Sequence, residues 1–171
     1  MLESMIAITI ATVGIMGLLT LLSQALSLNR VITDQYAGSY LAAEGVEIIK
    51  NLIDNNAKKD PPIWNVGFAE YVQKCFEIDY VTFDIDEAGV VACPTEETSF
   101  EAFSPRTLKF NSLDGIYSYT GDTETRFKRV VRITPIEGGN EIKVNSIAKW
   151  TTRGGGEFSL NVEDHFFNWY P

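Results

Sequence analysis

The sequence predicts an α+β protein in which one long N-terminal helix, apolar in its first half, packs its second half on an antiparallel β-sheet head. Three observations carry this expectation. No charged residue stands between Glu3 and Arg30. Apolar residues then recur at steps of three and four as far as Ile53, with no proline before Pro61. From Phe127 onward, β-rich runs alternate with glycine-bearing turns.

The run from Met5 to Leu28 is uncharged, and at a rise of about 1.5 Å per residue it matches a hydrocarbon layer roughly 30 Å thick. A secretory signal peptide would open on basic residues and end at a small-residue cleavage site. This chain opens Met-Leu-Glu and continues into a second helical pattern, so the segment is expected to stay in the mature protein. Residues 1–28 are therefore read as a membrane or filament-core helix. Residues 29–56 continue it as an amphipathic helix with Ile32, Tyr36, Tyr40, Ala43, Val46, Ile49 and Ile53 on one face. Glu44, Glu47 and Lys50 fall largely off that stripe. Together the two halves make one helix of about 50 residues, about 80 Å long. Asn55-Asn56 and Asp60-Pro61-Pro62 supply its stop, because asparagine tolerates the left-handed region and proline refuses further helix.

Residues 57–171 form the head. Phe76, Ile78 and Tyr80 alternate with Glu77 and Asp79, and the runs Phe127 to Ile136, Ile142 to Thr151 and Phe158 to Phe167 are separated by Gly138-Gly139-Asn140 and Gly154-Gly155-Gly156. This is the pattern of an antiparallel meander over about residues 107–170. In the last strand Phe158, Leu160 and Val162 face one way and Ser159, Asn161, Glu163 and His165 the other. The apolar sheet face needs a cover, which the amphipathic half of the helix can provide.

With 171 residues, 45% of them hydrophobic, the chain is long enough for one domain and an appendage. Its 14 Lys and Arg against 23 Asp and Glu give a net charge of -9, which disfavours a grip on a phosphate backbone, and no specific nucleic-acid partner is expected. Nor is an enzyme. The single histidine, His165, lies on the polar face of a terminal strand, and no Gly-x-Ser-x-Gly signature is present, so no catalytic residue and no cofactor is assigned. Asp84-Ile-Asp86-Glu87-Ala-Gly89 resembles the start of a calcium loop, but the fifth position is Ala88 and the twelfth Thr95, so an acidic turn and no metal is the expected reading.

The opening Met-Leu-Glu-Ser-Met-Ile-Ala-Ile-Thr-Ile resembles the mature start of a type IV pilin or pseudopilin. The likeness extends through Tyr40-Leu-Ala-Ala-Glu-Gly-Val-Glu-Ile-Ile-Lys-Asn51, similar to pilin-like proteins of small-genome bacteria, and loosely through Thr125 to Ile133, Trp150 and Phe166 to Trp169. The family's glutamate is the fifth mature residue and here it is third, so either two residues precede Met1 or the processing point differs. The resemblance implies a structural subunit that polymerises through its N-terminal helix into a type IV pilus-like extracellular filament. Its partners would be other copies of itself in a helical array, with pilus assembly machinery, a prepilin peptidase and the inner membrane engaged before assembly. The alternative is a monomeric, single-pass anchored extracytoplasmic binding domain. A DNA-uptake role, using Lys128, Arg132, Lys143 and Lys149, competes with a solvated sheet face as the account of those charges.

Residue roles follow from the resemblance and from physics together. In the family, the glutamate matching Glu3 pairs with the N-terminal amine of a neighbouring subunit and sets register. A glutamate snorkelling to the interface is the alternative. Ala7, Ala11 and Gly14 put small residues on one helix face, which permits close helix approach or reflects ordinary membrane-helix composition. Gly14 and Gly17 are where the helix would loosen in a filament, each lowering helix propensity by roughly 1 kcal/mol. An extracytoplasmic head, which the resemblance implies, would let Cys75 and Cys93 form a disulfide; free buried thiols are the alternative. Finally, residues 60–101 carry a net charge of -9 and residues 102–171 carry +1. An acidic lobe bearing Asp84, Asp86 and Glu87 would then abut a basic sheet face of Lys128, Arg132, Lys143 and Lys149 on the next subunit.

Overall fold

The computed structural model of the chain describes residues 2–59, 64–65, 67–72, 74–81, 90–93, 105–136, 140–152 and 154–168. It has the α+β arrangement expected: one long α-helix, α1 (Leu2–Ala57), followed by an antiparallel sheet. The strands are β1 (Lys74–Phe76), β2 (Val91–Ala92), β3 (Thr107–Asn111), β4 (Ile116–Ser118), β5 (Thr123–Pro135), β6 (Glu141–Thr151) and β7 (Glu157–Phe167). The chain forms two compact units, Met1–Tyr36 and Ala37–Pro171.

Strand β5 is the spine of the sheet. Along one edge it pairs with β6 from Phe127 opposite Trp150 to Pro135 opposite Ile142, and β6 in turn pairs with β7. Its other edge is shared, with β3 on the N-terminal half and β1 on the C-terminal half. Strands β1 and β2 come from the acidic stretch, so part of that stretch belongs to the sheet. The β6–β7 turn is closed by Thr152 N–H donating to Gly156 O at 2.8 Å and Gly155 N–H donating to Thr152 O, with Gly155 at φ +82°. A left-handed residue at this point is what glycine supplies at no steric cost.

Parity along β5 and β6 decides what is inside. Phe127, Val131 and Ile133 point with Val144, Ala148 and Trp150 toward α1, and Ile48, Ile49 and Ile53 of the helix complete one core cluster while Leu41 and Ala42 complete a second. A row of rings crosses the sheet beneath the helix: Phe110, Tyr117, Phe127, Trp150 and Phe158, with successive centroids 5.2 to 6.0 Å apart. Edge-to-face and offset geometries of this kind add to the area buried.

The helix presents a different face from the one its larger apolar residues suggest. Val46, Ile49 and Ile53 are buried, but Ile32, Tyr36, Tyr40 and Ala43 are exposed, Tyr40 by 74%. In their place the packed face carries Gly38, Ala42 and Gly45. A Cβ on Gly38 would lie 2.8 Å from ring atoms of Trp150, and one on Gly45 would meet Ser146. Small residues let the helix backbone sit close on the sheet, and tyrosines could not occupy that space. The strand expected through Tyr80 also stops at Phe76: Glu77 and Asp79 are buried instead of facing solvent. The helix ends at Ala57, where Asn56 O accepts Lys59 N–H at 3.1 Å; Asp60, Pro61 and Pro62 lie outside the described residues.

Candidate assembly surface

In the N-terminal unit every residue from Leu2 to Arg30 is exposed. The exposed side chains include Met5, Ile6, Ile8, Ile10, Val13, Ile15, Leu18, Leu19, Leu21 and Leu22, and α1 is long and apolar enough to cross a membrane. Bringing each such side chain out of water is worth about 1.5–3 kcal/mol, so this surface favours an apolar environment. The polar atoms it carries are dealt with locally. Thr9 Oγ1 donates to Met5 O at 2.8 Å, Thr12 Oγ1 to Thr9 O at 2.9 Å and Thr20 Oγ1 to Met16 O at 2.9 Å. A threonine that returns its proton to its own helix presents a methyl and a satisfied hydroxyl, a device the apolar count of the sequence does not display.

Glu3 sits in the first turn of α1, where unpaired backbone N–H groups favour a carboxylate. Ala7, Ala11 and Gly14 share one face, with Gly17 beside it, and nothing lies within 4 Å of the position a Cβ on Gly14 or Gly17 would take. The helix runs unbroken through both glycines.

On the head, the sheet face away from α1 collects the predicted charges but is not a plain basic stripe. Lys128 stands opposite Lys149, Arg132 opposite Asn145 and Thr134 opposite Lys143. Strand β7 then brings carboxylates onto the same face: Lys149 Nζ pairs with Glu157 at 3.1 Å and Lys143 Nζ with Glu163 at 3.2 Å. Arg132 is buried, so it is not a surface that a neighbour could reach. Asp84, Asp86 and Glu87 lie outside the described residues. Among the described residues, no three His, Cys, Asp or Glu side chains converge as a metal site.

Cys75 and Cys93 form a disulfide that covers Val130 on this face. It closes a loop across a sequence separation of 18, for which chain-entropy arguments give about 3 kcal/mol. Replacing both cysteines by serine is therefore expected to lower the unfolding free energy of the head by up to that amount, measured by denaturant titration in detergent. A change below about 0.5 kcal/mol would show that the bridge is incidental.

Sequence reasoning missed the buried polar residues of the head. Arg129 is fully buried: its guanidinium donates to Leu41 O at 3.1 Å and to Ile78 O at 2.6 Å, and lies 3.2 Å from Glu44 Oε1. Glu77, 2% exposed, accepts from Arg106 N–H at 2.5 Å and Arg106 Nε at 2.6 Å. The Arg106 guanidinium lies 4.6 Å from the Tyr119 ring centroid, and Asp79 accepts from the backbone N–H of Val81 and Tyr119. Burial drives the Tyr119 phenol well above its ordinary range, a rise that the nearby Arg129 partly opposes. Arg129 ties α1 to the sheet, while the contacts of Glu77 and Asp79 with Arg106 and Tyr119 tie the segment after β1 to the residues flanking β3 and β4. Compared with known protein families, with curated proteins and with solved structures, the chain matches none.

Proposed function

We propose that this chain is a type IV pilin-like structural subunit, held by α1 in the cytoplasmic membrane and then polymerised through that helix into an extracellular filament. The observation that supports the reading is the apolar helix surface from Leu2 to Leu28, exposed around its whole circumference, with one carboxylate, Glu3, in its first turn. A helix of this kind is covered by lipid in a single subunit and by its own copies in a polymer, and moving between the two exchanges one apolar environment for another at little cost. In an apolar layer Glu3 requires a cation, and the N-terminal amine of an adjacent copy is the one that assembly would bring.

Imaging and mass analysis of surface filaments purified from cells that make this chain test the reading, which predicts the chain as their repeating component. Cells that hold the protein only as membrane-anchored monomers would favour the anchored binding domain. Within the filament reading, Glu3→Ala is expected to keep membrane insertion and reduce filament yield about tenfold or more, which corresponds to losing about 1.4 kcal/mol per docking event. Normal filaments at normal abundance would assign Glu3 to the interface with water instead.

A further inference from the structure

The chain's single histidine is placed where a proton decides how firmly the last strand is held. His165 stands on β7 opposite Lys143 of β6, on the sheet face away from α1. Its ring is gripped on both sides: Nδ1 lies 2.5 Å from Glu141 Oε1 on β6, and Nε2 lies 3.3 Å from Glu163 Oε1 on β7. Ionised carboxylates only accept hydrogen bonds, and a neutral imidazole has a single N–H. Both contacts are therefore hydrogen bonds only when the ring carries two protons. A neutral ring would turn a lone pair toward one of the two carboxylates.

Surrounding groups are arranged for the charged form. Glu163 also accepts from Asn145 Nδ2 at 2.9 Å and pairs with Lys143 Nζ, so its carboxylate is held in place independently of the histidine. Asp164 accepts the backbone N–H of His165 at 2.8 Å. From β6 the charged groups on this side are Glu141 and Lys143, from β7 it is Glu163, with Asp164 turned to the opposite face, and β5 contributes the uncharged Thr134 beyond Lys143. Strand β7 pairs with β6 alone among the described strands, so its C-terminal end depends on this ladder and on such side-chain links.

We propose that His165, with Glu141 and Glu163, forms a proton-operated clasp that pins the C-terminal end of β7 to β6 when the imidazole is protonated and loosens that end when it is neutral. The hydrogen bonds to Glu141 and then Glu163 raise the His165 pKa above its ordinary 6.5. A raised value in the folded state means that the clasp is complete below about 6.5 and is lost as pH climbs through the folded pKa. On the acid side Glu163 is held at about 2, first by Asn145 and then by His165 and Lys143. Its contribution is present above the ordinary carboxylate value of 4.5 and fades toward about 2. The clasp is thus fully closed between those limits.

Because the chain has one histidine, its imidazole titration can be followed by NMR of the full chain in detergent micelles without ambiguity. The expected midpoint lies above 6.5 and falls on Glu141→Gln. Hydrogen exchange of the amides at 163–167, corrected for intrinsic rates, should lose protection about two- to fivefold between pH 5.5 and 8.5, the range expected for exposed charge pairs. The centre of β5 should not change over that range, and His165→Gln should remove the pH dependence while leaving the fold. A midpoint at or below 6.5, or the same pH profile in His165→Gln as in the parent chain, would overturn the clasp.

Discussion

Arg129→Ala is expected to destabilise the head by about 3–5 kcal/mol, the usual cost of removing one partner from a buried charge network. The side chain is fully buried between α1 and the sheet; it donates to two carbonyls, Leu41 O on the helix and Ile78 O on the segment after β1, and forms an ion pair with Glu44 of the helix at 3.2 Å. Alanine withdraws the donors from two carbonyls, each costing about 1–3 kcal/mol if left without a partner, and leaves a cavity against Ser146 and Gly45. The melting temperature of the full chain in micelles, followed by tryptophan fluorescence, should fall by about 10 °C or more. Arg129→Lys should recover little, because an ammonium cannot reproduce a planar fork aimed at separate acceptors. Glu44→Gln should cost much less, since that side chain is 26% exposed and the amide still offers an oxygen to the guanidinium. If Arg129→Ala melts within about 2 °C of the parent chain, these bonds do not hold the helix in place.

The same residue shows what could be read from the sequence and what could not. Helix and meander were legible because hydrophobic periodicity and glycine turns are local signals: α1 ends within two residues of Asn55, and β5, β6 and β7 match the runs beginning near Phe127, Ile142 and Phe158. Arg129 lay in plain view, since the alternation that turns Val131 and Ile133 inward turns position 129 inward as well. Its charge argued for the surface, and only a partner 85 positions earlier, Glu44, makes the interior tolerable. Glu77 and Asp79 were misplaced for the same reason, because their partners Arg106 and Tyr119 are remote in sequence. The outer face was half legible. Parity put Lys128, Arg132, Lys143 and Lys149 together, but the carboxylates that meet two of them arrive from β7 through a register that no single strand encodes.

The helix face was the largest misreading, and it leads to the sharpest contrast among substitutions. Four glycines stand within α1 at positions 14, 17, 38 and 45, each giving up about 1 kcal/mol of helix propensity relative to alanine. At Gly14 and Gly17 a Cβ would meet nothing within 4 Å, so alanine there should increase the helicity of the isolated subunit by that propensity alone. Gly38→Ala should do the opposite. Its Cβ would press on three atoms of the Trp150 indole, a rigid ring that is itself buried among Phe127, Phe158 and Leu41 and has no room to retreat. Overpacking of this kind costs about 1–3 kcal/mol and outweighs the propensity gain, so the head should melt about 5 °C lower. Gly45→Ala differs in its obstacle, which is the Ser146 side chain, with Arg129 Cδ at 3.2 Å. Ser146→Gly removes that obstacle, and the double substitution with Gly45→Ala should recover most of the loss. Paired with Gly38→Ala, the same Ser146→Gly should recover none, because the two glycines meet different side chains. If Gly38→Ala raises the melting temperature as a propensity gain would, or if Ser146→Gly relieves both substitutions alike, the close seat of α1 on the sheet is not what these glycines provide.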